Sequence, residues 1–463
     1  MGSGLARLLL VLAAAGDPPI DSPASPRLEE LRRAVSTADR AAADAALTAF
    51  WAEVRSAGSP LVEPGASERP HERLVTFLYQ SAADVHVVVV ADFADYVPHM
   101  TLQRLPETDV WFRTLPLPDD ARFLYELSVD DPGFPFTDGA TVGWPSATRP
   151  DPLNPRQYDK SKPQILSLVE LPRAPSLELS TPDDPMAHDT AGQRGIEVLE
   201  SGEVLWSDVL GNDRKVFFYK PGGYAESPAE PYPLLIFPAS YISQVRLPVI
   251  LDHLIARRRI PPVVAVFVGF PSHAGGGNKQ DEEAGGGPEF GDFIAGELLP
   301  WVRERVNVTK DPRQVVIGGA SAGGHSAACV ALLHPDAIGA VIAQSGAFWR
   351  GLGGTAALWG DPARDEGREG FARLAATSPL AAHEGTPVRF WLTIGRLESG
   401  AAFSADSVSM LHASRHVRDV LQAKGYPVTL RETSGGHDPY NWEASLPEAL
   451  ETLLGPGAPA TPR

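Results

Sequence analysis

A single cysteine, Cys329, stands in 463 residues. It cannot close an internal disulfide or build a cysteine-based zinc site. Positive charge is scarce: 40 Lys and Arg face 58 Asp and Glu, a formal charge of −18. A surface this acidic lacks the cations that displace counterions from nucleic acid, so nucleic-acid binding is excluded as a main role. No run of about 18 apolar residues occurs, so no stable membrane-spanning helix is expected. There is no internal repeat, and the 43 Gly and 44 Pro follow no Gly-X-Y period. What remains is ordinary for a folded chain: 43% hydrophobic and 21% charged residues, with length for two or three domains.

At the N-terminus, Arg7 precedes the short apolar run Leu8 to Ala15, then small residues and Asp17. That is the outline of a secretory signal peptide over residues 1–24. A periplasmic or secreted location is therefore expected ahead of a cytoplasmic one. From residue 25 to 60 the pattern is helical. Pro26 suits a first turn, and Leu28, Leu31, Leu47, Phe50, Trp51 and Val54 can form an apolar stripe. Residues 61–131 hold short β-branched and aromatic runs separated by Pro/Asp turns, which predict an antiparallel β-sandwich. Residues 132–191 are proline-rich and weakly periodic and read as an extended linker.

From 192 to 455 the pattern alternates. Strands are expected at Val216–Tyr219, Pro233–Phe237, Val263–Phe270, Val315–Gly319, Ala340–Gln344, Val388–Ile394 and Val428–Glu432. Helices are expected at Phe290–Val306, Gly324–Leu333, Ser404–Lys424 and Ala444–Leu454. Several strands are continuous apolar runs, as in strands buried on both faces. The fold class is α/β: a mostly parallel sheet with flanking helices, preceded by a small all-β domain. Residues 456–463 read as a disordered tail.

The chemistry centres on Gly319-Ala320-Ser321-Ala322-Gly323. The strand Gln314 to Ile317 leads into this G-x-S-x-G, and a helix of small residues leads out. That context is the nucleophile elbow of an α/β-hydrolase. No Lys follows in the position of a phosphate-binding loop. A serine hydroxyl needs a base. His437 follows the last strand in a loop before the final helix, where such a base belongs, whereas His325 and His334 lie on the helix after the elbow. An acid must hold the imidazole in one tautomer. Glu398 follows the strand Val388–Ile394 directly. Asp438 and Asp406 are rivals, but the side chain of Asp438 diverges from that of its neighbour His437. Two backbone N–H groups should bind the oxyanion. Ala322 is one. The other comes from Phe237-Pro238-Ala239-Ser240-Tyr241, where Pro238 has no N–H; Ser240 is expected, with Ala239 and Tyr241 as alternatives. Tyr241, Trp349, Tyr440 and Trp442 are the aromatic candidates for the substrate cleft.

These stretches resemble the enterochelin esterase family of esterase D-like α/β-hydrolases. The matching segments are FVGF at Phe267, GELLPWVRERVNVTKDP from Gly296, VIGGASAGG from Val316, AQSGAFWR from Ala343 and GGHDPYNW from Gly435. DPLNP at Asp151 and LSLVELPRAP from Leu166 resemble the family's linker, and WFRTLPLPDDARFLYEL from Trp111 its immunoglobulin-like N-terminal domain. The resemblance implies ester hydrolysis through an acyl-serine, with Ser321 as nucleophile, His437 as base and Glu398 at the family's G-x-x-E acid position. Two departures stand out. Pro238-Ala239 replaces an Asp-Gly pair in the oxyanion loop. The glycine-rich acidic stretch from His273, with Lys279 its one cation, replaces an arginine suited to an anionic catechol.

Three functions compete. The first is a serine carboxylesterase, with a siderophore trilactone among its substrates. The second is a feruloyl or acetyl-xylan type esterase. The third is a glycan-binding protein with a degenerate hydrolase, against which the intact Ser321, His437 and Glu398 argue. The expected partner is a small-molecule ester. Acyl transfer through serine requires no metal or organic cofactor.

Overall fold

A computed structural model describes residues 25–37, 39–91, 100–135, 145–161, 164–177, 202–227, 229–271, 287–348, 370–399 and 409–456. The expected signal peptide, the stretch from His273 and the tail beyond 456 lie outside the described residues, as do Trp349 and Asp406.

The N-terminal stripe forms two helices, Pro26–Thr37 and Arg40–Ala57. Asp39 caps the second by accepting a hydrogen bond from the Ala42 amide. Leu28, Leu31, Phe50, Trp51 and Val54 bury themselves with Leu78, Val110 and Phe112 of the adjoining sheet. That sheet runs Leu61–Pro64, Glu72–Gln80, Val110–Pro118, Gln103–Arg104. A second four-stranded sheet runs Val87–Ala91, Arg122–Val129, Gln164–Glu170, Gln157–Ser161, and all pairings in both sheets are antiparallel. Side-chain alternation puts Val75 and Phe77 on one face of the first sheet, against Val89, Phe123, Tyr125 and Val169 of the second. Leu78 faces the helices instead. The sandwich therefore does not stop near residue 131. Two of its strands lie inside the stretch read as linker, and Arg122–Val129 supplies their hydrogen-bonding partner.

The larger sheet has eight strands. Their order is Val428–Thr433, Arg389–Gly395, Ala340–Gln344, Val315–Ala320, Leu234–Pro238, Val264–Pro271, Asn212–Tyr219, Glu203–Ser207. The first six are mutually parallel; Asn212–Tyr219 runs antiparallel to them, and Glu203–Ser207 pairs antiparallel with Asn212–Tyr219. Alternate residues serve two cores, one on each face. Leu234, Ile236 and Val315 meet the helix Ala322–Leu333 on one side, and Leu235, Phe237 and Val316 meet Leu247–Ala256 and Pro439–Leu454 on the other. Doubly buried strands explain the unbroken apolar runs. Among the described residues no helix is long and apolar enough to cross a membrane.

One half-buried carboxyl makes this packing pH-dependent. Asp252, on the helix Leu247–Ala256, accepts a hydrogen bond from the Tyr219 hydroxyl at 2.7 Å. Burial raises its pKa to about 6, against an ordinary 3.8. Between those values the folded chain keeps a proton that the unfolded chain has released. Stability therefore falls as pH rises across that window and stays lowered above it. Asp252→Asn keeps an acceptor for Tyr219 and removes the charge. It should gain about 2 kcal/mol at pH 7–8 and nothing at pH 4. Thermal melts across that range check this; equal melting shifts at both ends would contradict it.

Candidate active site

The six parallel strands end on one edge of the sheet, and three of them hand over directly to the residues of interest. Val315–Ala320 runs into Ser321, which has φ 54° and ψ −125°. A positive φ on a β-substituted residue is strained, and it turns the hydroxyl off the strand end. The backbone is held there from two sides: Ser321 N–H donates to Gln344 O at 2.9 Å, and Ala347 N–H donates to Ser321 O at 3.0 Å. The helix Ala322–Leu333 starts at the next residue.

The flanking glycines are not equivalent. A Cβ on Gly319 would come within 2.7 Å of the Gly323 carbonyl group, and one on Gly318 within 2.4 Å of the Phe237 ring. On Gly323 the nearest atom would be Pro238 Cγ at an ordinary 3.7 Å. Gly319→Ala should therefore push strand and helix apart and lower kcat at least about 10²-fold, since a 1 Å misplacement costs that much. Gly323→Ala should keep activity within about threefold and gain helix propensity of up to about 1 kcal/mol. Ester kinetics and melting of the two variants separate these outcomes.

Glu398 follows the strand Arg389–Gly395 and is 2% exposed. Its Oε1 accepts from the Ser345 hydroxyl at 2.7 Å and the Gly395 N–H at 2.9 Å. Its Oε2 lies 2.8 Å from His437 Nδ1. A carboxylate accepting at Nδ1 places the ring proton there and leaves Nε2 as the basic nitrogen. His437 itself comes from the loop after Val428–Thr433. That loop is tied to the acid's loop, because Leu397 N–H donates to Gly435 O and Arg396 N–H to Thr433 O.

A cavity of about 330 Å³ opens beside Ser321. Ser240, Tyr241, Ala322 and Trp442 line it, together with Phe290 and Arg214. The Trp442 ring stands edge-on to His437, centroids 5.3 Å apart, and its Nε1 donates to Ser345 Oγ at 3.0 Å. Of the three alternatives for the second oxyanion donor, Ala239 is committed, since its N–H donates to Val268 O at 2.9 Å. Tyr241 lines the cavity yet is 2% exposed, and its hydroxyl donates to Gln344 Oε1 at 2.9 Å. Burial keeps that phenol well above its ordinary pKa, so it remains a donor.

Other expected residues lie elsewhere. Tyr440 does not line this cavity; it packs on Leu124 and Leu168 of the sandwich, under the Arg122 guanidinium. Asp438 caps the helix Pro439–Leu454 through the Asn441 N–H, at 3.1 Å. His325 is buried between Phe348 and Phe371, and burial drives the adjacent Cys329 thiol far from its thiolate form. His334 caps the same helix and pairs with Asp292 at 3.3 Å.

Three residues were not singled out from sequence. Ser345, at φ 46°, joins Glu398 to Trp442. Gln344 joins Tyr241 to Trp442 O and Ser445 through its buried amide. Arg214 is 1% exposed, with its guanidinium 4.7 Å from the Phe293 ring. The signal for the first two was two polar residues ending an otherwise apolar strand. Arg214, in a charged run on a strand, carried none.

An elbow serine, a histidine bonded to a buried carboxylate and an apolar cavity on one edge of a doubly wound sheet define an ester hydrolase of α/β type. Residues 207–453, more than half of the chain, match the family model described as putative esterase, and residues 74–179 match the enterochelin esterase N-terminal domain. The chain belongs to the enterochelin esterase family of carboxylic ester hydrolases. It is 26% identical to the iron(III) enterobactin esterase of Dickeya dadantii over 88% of this chain and 92% of that one. It is 28% identical to the iron(III) salmochelin esterase of Escherichia coli O6:H1 over 88% and 94%. Its fold matches a ferric enterobactin esterase structure from Salmonella typhimurium with a TM-score of 0.63 at 21% identity, covering 88% and 98%.

Proposed function

We propose that this enzyme hydrolyses the ester bonds of an iron(III) catechol siderophore through an acyl-enzyme on Ser321. Ser321 Oγ attacks the carbonyl carbon while His437 Nε2 takes its proton. The Ala322 and Ser240 amides hold the oxyanion. The tetrahedral intermediate collapses, the C–O bond to the alcohol breaks, and His437 returns the proton to the leaving alkoxide. Water then repeats the sequence on the acyl-serine, with His437 again as base, and frees the acid. Glu398 stabilises the imidazolium in both halves.

The observation that carries the mechanism is the 2.8 Å contact between Glu398 Oε2 and His437 Nδ1, on the sheet edge where the strained Ser321 sits. The substrate class rests on the relatives' names and on the cavity. Its wall is largely apolar and aromatic, suited to an aryl acyl group, and Arg214 adds one guanidinium for an anionic or phenolic oxygen.

Turnover of iron(III) enterobactin, methyl ferulate and p-nitrophenyl acetate, with products identified by mass, tests the proposal. Enterobactin should be preferred in kcat/KM by about 10²-fold or more, a difference of about 3 kcal/mol. Faster turnover of ferulate would give the plant-wall reading its place. Hydrolysis of the p-nitrophenyl ester alone would end the siderophore assignment and leave the acyl-serine chemistry standing.

A further inference from the structure

Among the described residues, the β-sandwich touches the hydrolase at the loops that carry Glu398 and His437 and at the start of the helix Pro439–Leu454. The contact with the loops is made by the turn between the strands Val110–Pro118 and Arg122–Val129. This turn is firmly held by its own domain, since Leu171 N–H donates to Ala121 O at 2.9 Å and Arg173 N–H to Asp119 O at 2.8 Å. From it, the Arg122 N–H donates to Ser434 O at 3.3 Å, three residues before His437. The Arg122 side chain is 6% exposed, bonds Glu170 through Nε at 3.1 Å and lies 5.9 Å over the Tyr440 ring, three residues after His437. On the other loop, Leu397 packs into the sandwich's own core with Ala121 and Phe123. Arg396 bonds the Ser434 hydroxyl and sits 3.6 Å from Asp120.

Adjacent side chains diverge. With Leu397 packed against the sandwich, Glu398 is directed the other way, to His437. The same turn braces the second loop on both sides of the histidine. The exposed Arg396–Asp120 pair contributes little by itself. The contacts that set position are the half-buried Leu397 against the sandwich core and the buried Arg122 guanidinium, held by Glu170 over the Tyr440 ring.

We infer that the sandwich is a brace for the catalytic acid and base, with Leu397 and Arg122 as positioning residues that act through Glu398 and His437. The inference rests on the Ser321, His437 and Glu398 assignment. A displacement of about 1 Å in a reacting group can cost 10²-fold in rate. Loosening either loop should therefore lower kcat rather than weaken binding, because neither residue lines the cavity beside Ser321.

The test uses the full chain and a p-nitrophenyl ester, with a serine-directed phosphonate to count functional sites so that unfolded protein is not mistaken for slow enzyme. Leu397→Ala and Arg122→Ala should each lower kcat per site about tenfold with KM within twofold of wild type. Leu397→Met, of similar volume, should restore kcat. Val75→Ala, in the same core but on the other sheet, should lower the melting temperature and leave kcat per site unchanged. If Leu397→Ala does not fold, Leu397→Val reads the same contact at smaller cost. Wild-type kcat in the Leu397 and Arg122 variants would overturn the inference. So would an equal fall in Val75→Ala, which would make the effect general loosening. Either result leaves Ser321-dependent turnover intact, so failure of the brace is distinct from failure of the mechanism.

Discussion

Ser321→Ala should remove ester turnover, with kcat falling by about 10⁵–10⁶. The size follows from what the hydroxyl does. Without it no acyl-enzyme forms, and His437 has no serine proton to take. What survives is water attack helped by the cavity and the oxyanion amides, on the order of 10³–10⁴ over the uncatalysed rate. The fold should be indifferent to the change. The fold does not lean on Ser321 Oγ, since the helix Ala322–Leu333 has no side-chain cap at this residue and the backbone bonds to Gln344 and Ala347 remain. An alanine at φ 54° bears much the same strain as the serine. The melting temperature should accordingly stay within about a degree or two. The measurement is paired: steady-state hydrolysis of a p-nitrophenyl ester, and mass spectra after a serine-directed phosphonate. One adduct per chain in wild type and none in the variant is the expected outcome. Equal rates in the two proteins would remove the acyl-serine mechanism altogether.

The parts of this site visible in the sequence are those written in local grammar. The elbow needs a strand, a tight turn of small residues and a helix in immediate succession, and residues 314–329 show all three. The places of Glu398 and His437 follow from chain order, because in a parallel sheet each strand delivers its next residue to the same edge. Contacts between distant segments were not visible. Gln157–Ser161 has no apolar alternation, and it becomes a strand by pairing with Gln164–Glu170, itself registered on Arg122–Val129. The helix Leu247–Ala256 is apolar nearly all round, since Leu247, Ile250, Leu251 and Leu254 are buried along with Pro248 and His253. It therefore shows no amphipathic period to read. Tyr440 misled for the same reason. It lies close to His437 in sequence, but the docking of a second domain decides that its ring meets Leu124 and Leu168 and not the cavity. Ser345 could be seen only once the acid's second oxygen had a place, with the hydroxyl 2.7 Å from it.

Glu398→Gln should lower kcat by about 10³–10⁴ while the protein stays folded. Gly395 N–H and Ser345 O–H both donate to Oε1. A glutamine satisfies them by placing its carbonyl oxygen there, which turns its NH₂ towards His437 Nδ1. The imidazole must then accept at Nδ1 and carry its proton on Nε2, the nitrogen that should receive the serine proton. The wrong tautomer, not a wrong shape, is the lesion. It also removes an anion beside the imidazole, so the histidine loses its proton at lower pH than in wild type. The residual activity should accordingly reach its plateau at lower pH, which a pH–rate profile of kcat/KM checks. KM should change little, because Glu398 is buried behind His437 and does not line the cavity. The rival carboxylates supply the counter-test. Asp438→Asn keeps a cap oxygen for the Asn441 N–H and removes only its charge, so it should cost about 0.5 kcal/mol of stability with kcat nearly intact. If Asp438→Asn or Asp406→Asn silences the enzyme while Glu398→Gln turns over like wild type, the acid has been placed on the wrong residue and the tautomer argument falls with it.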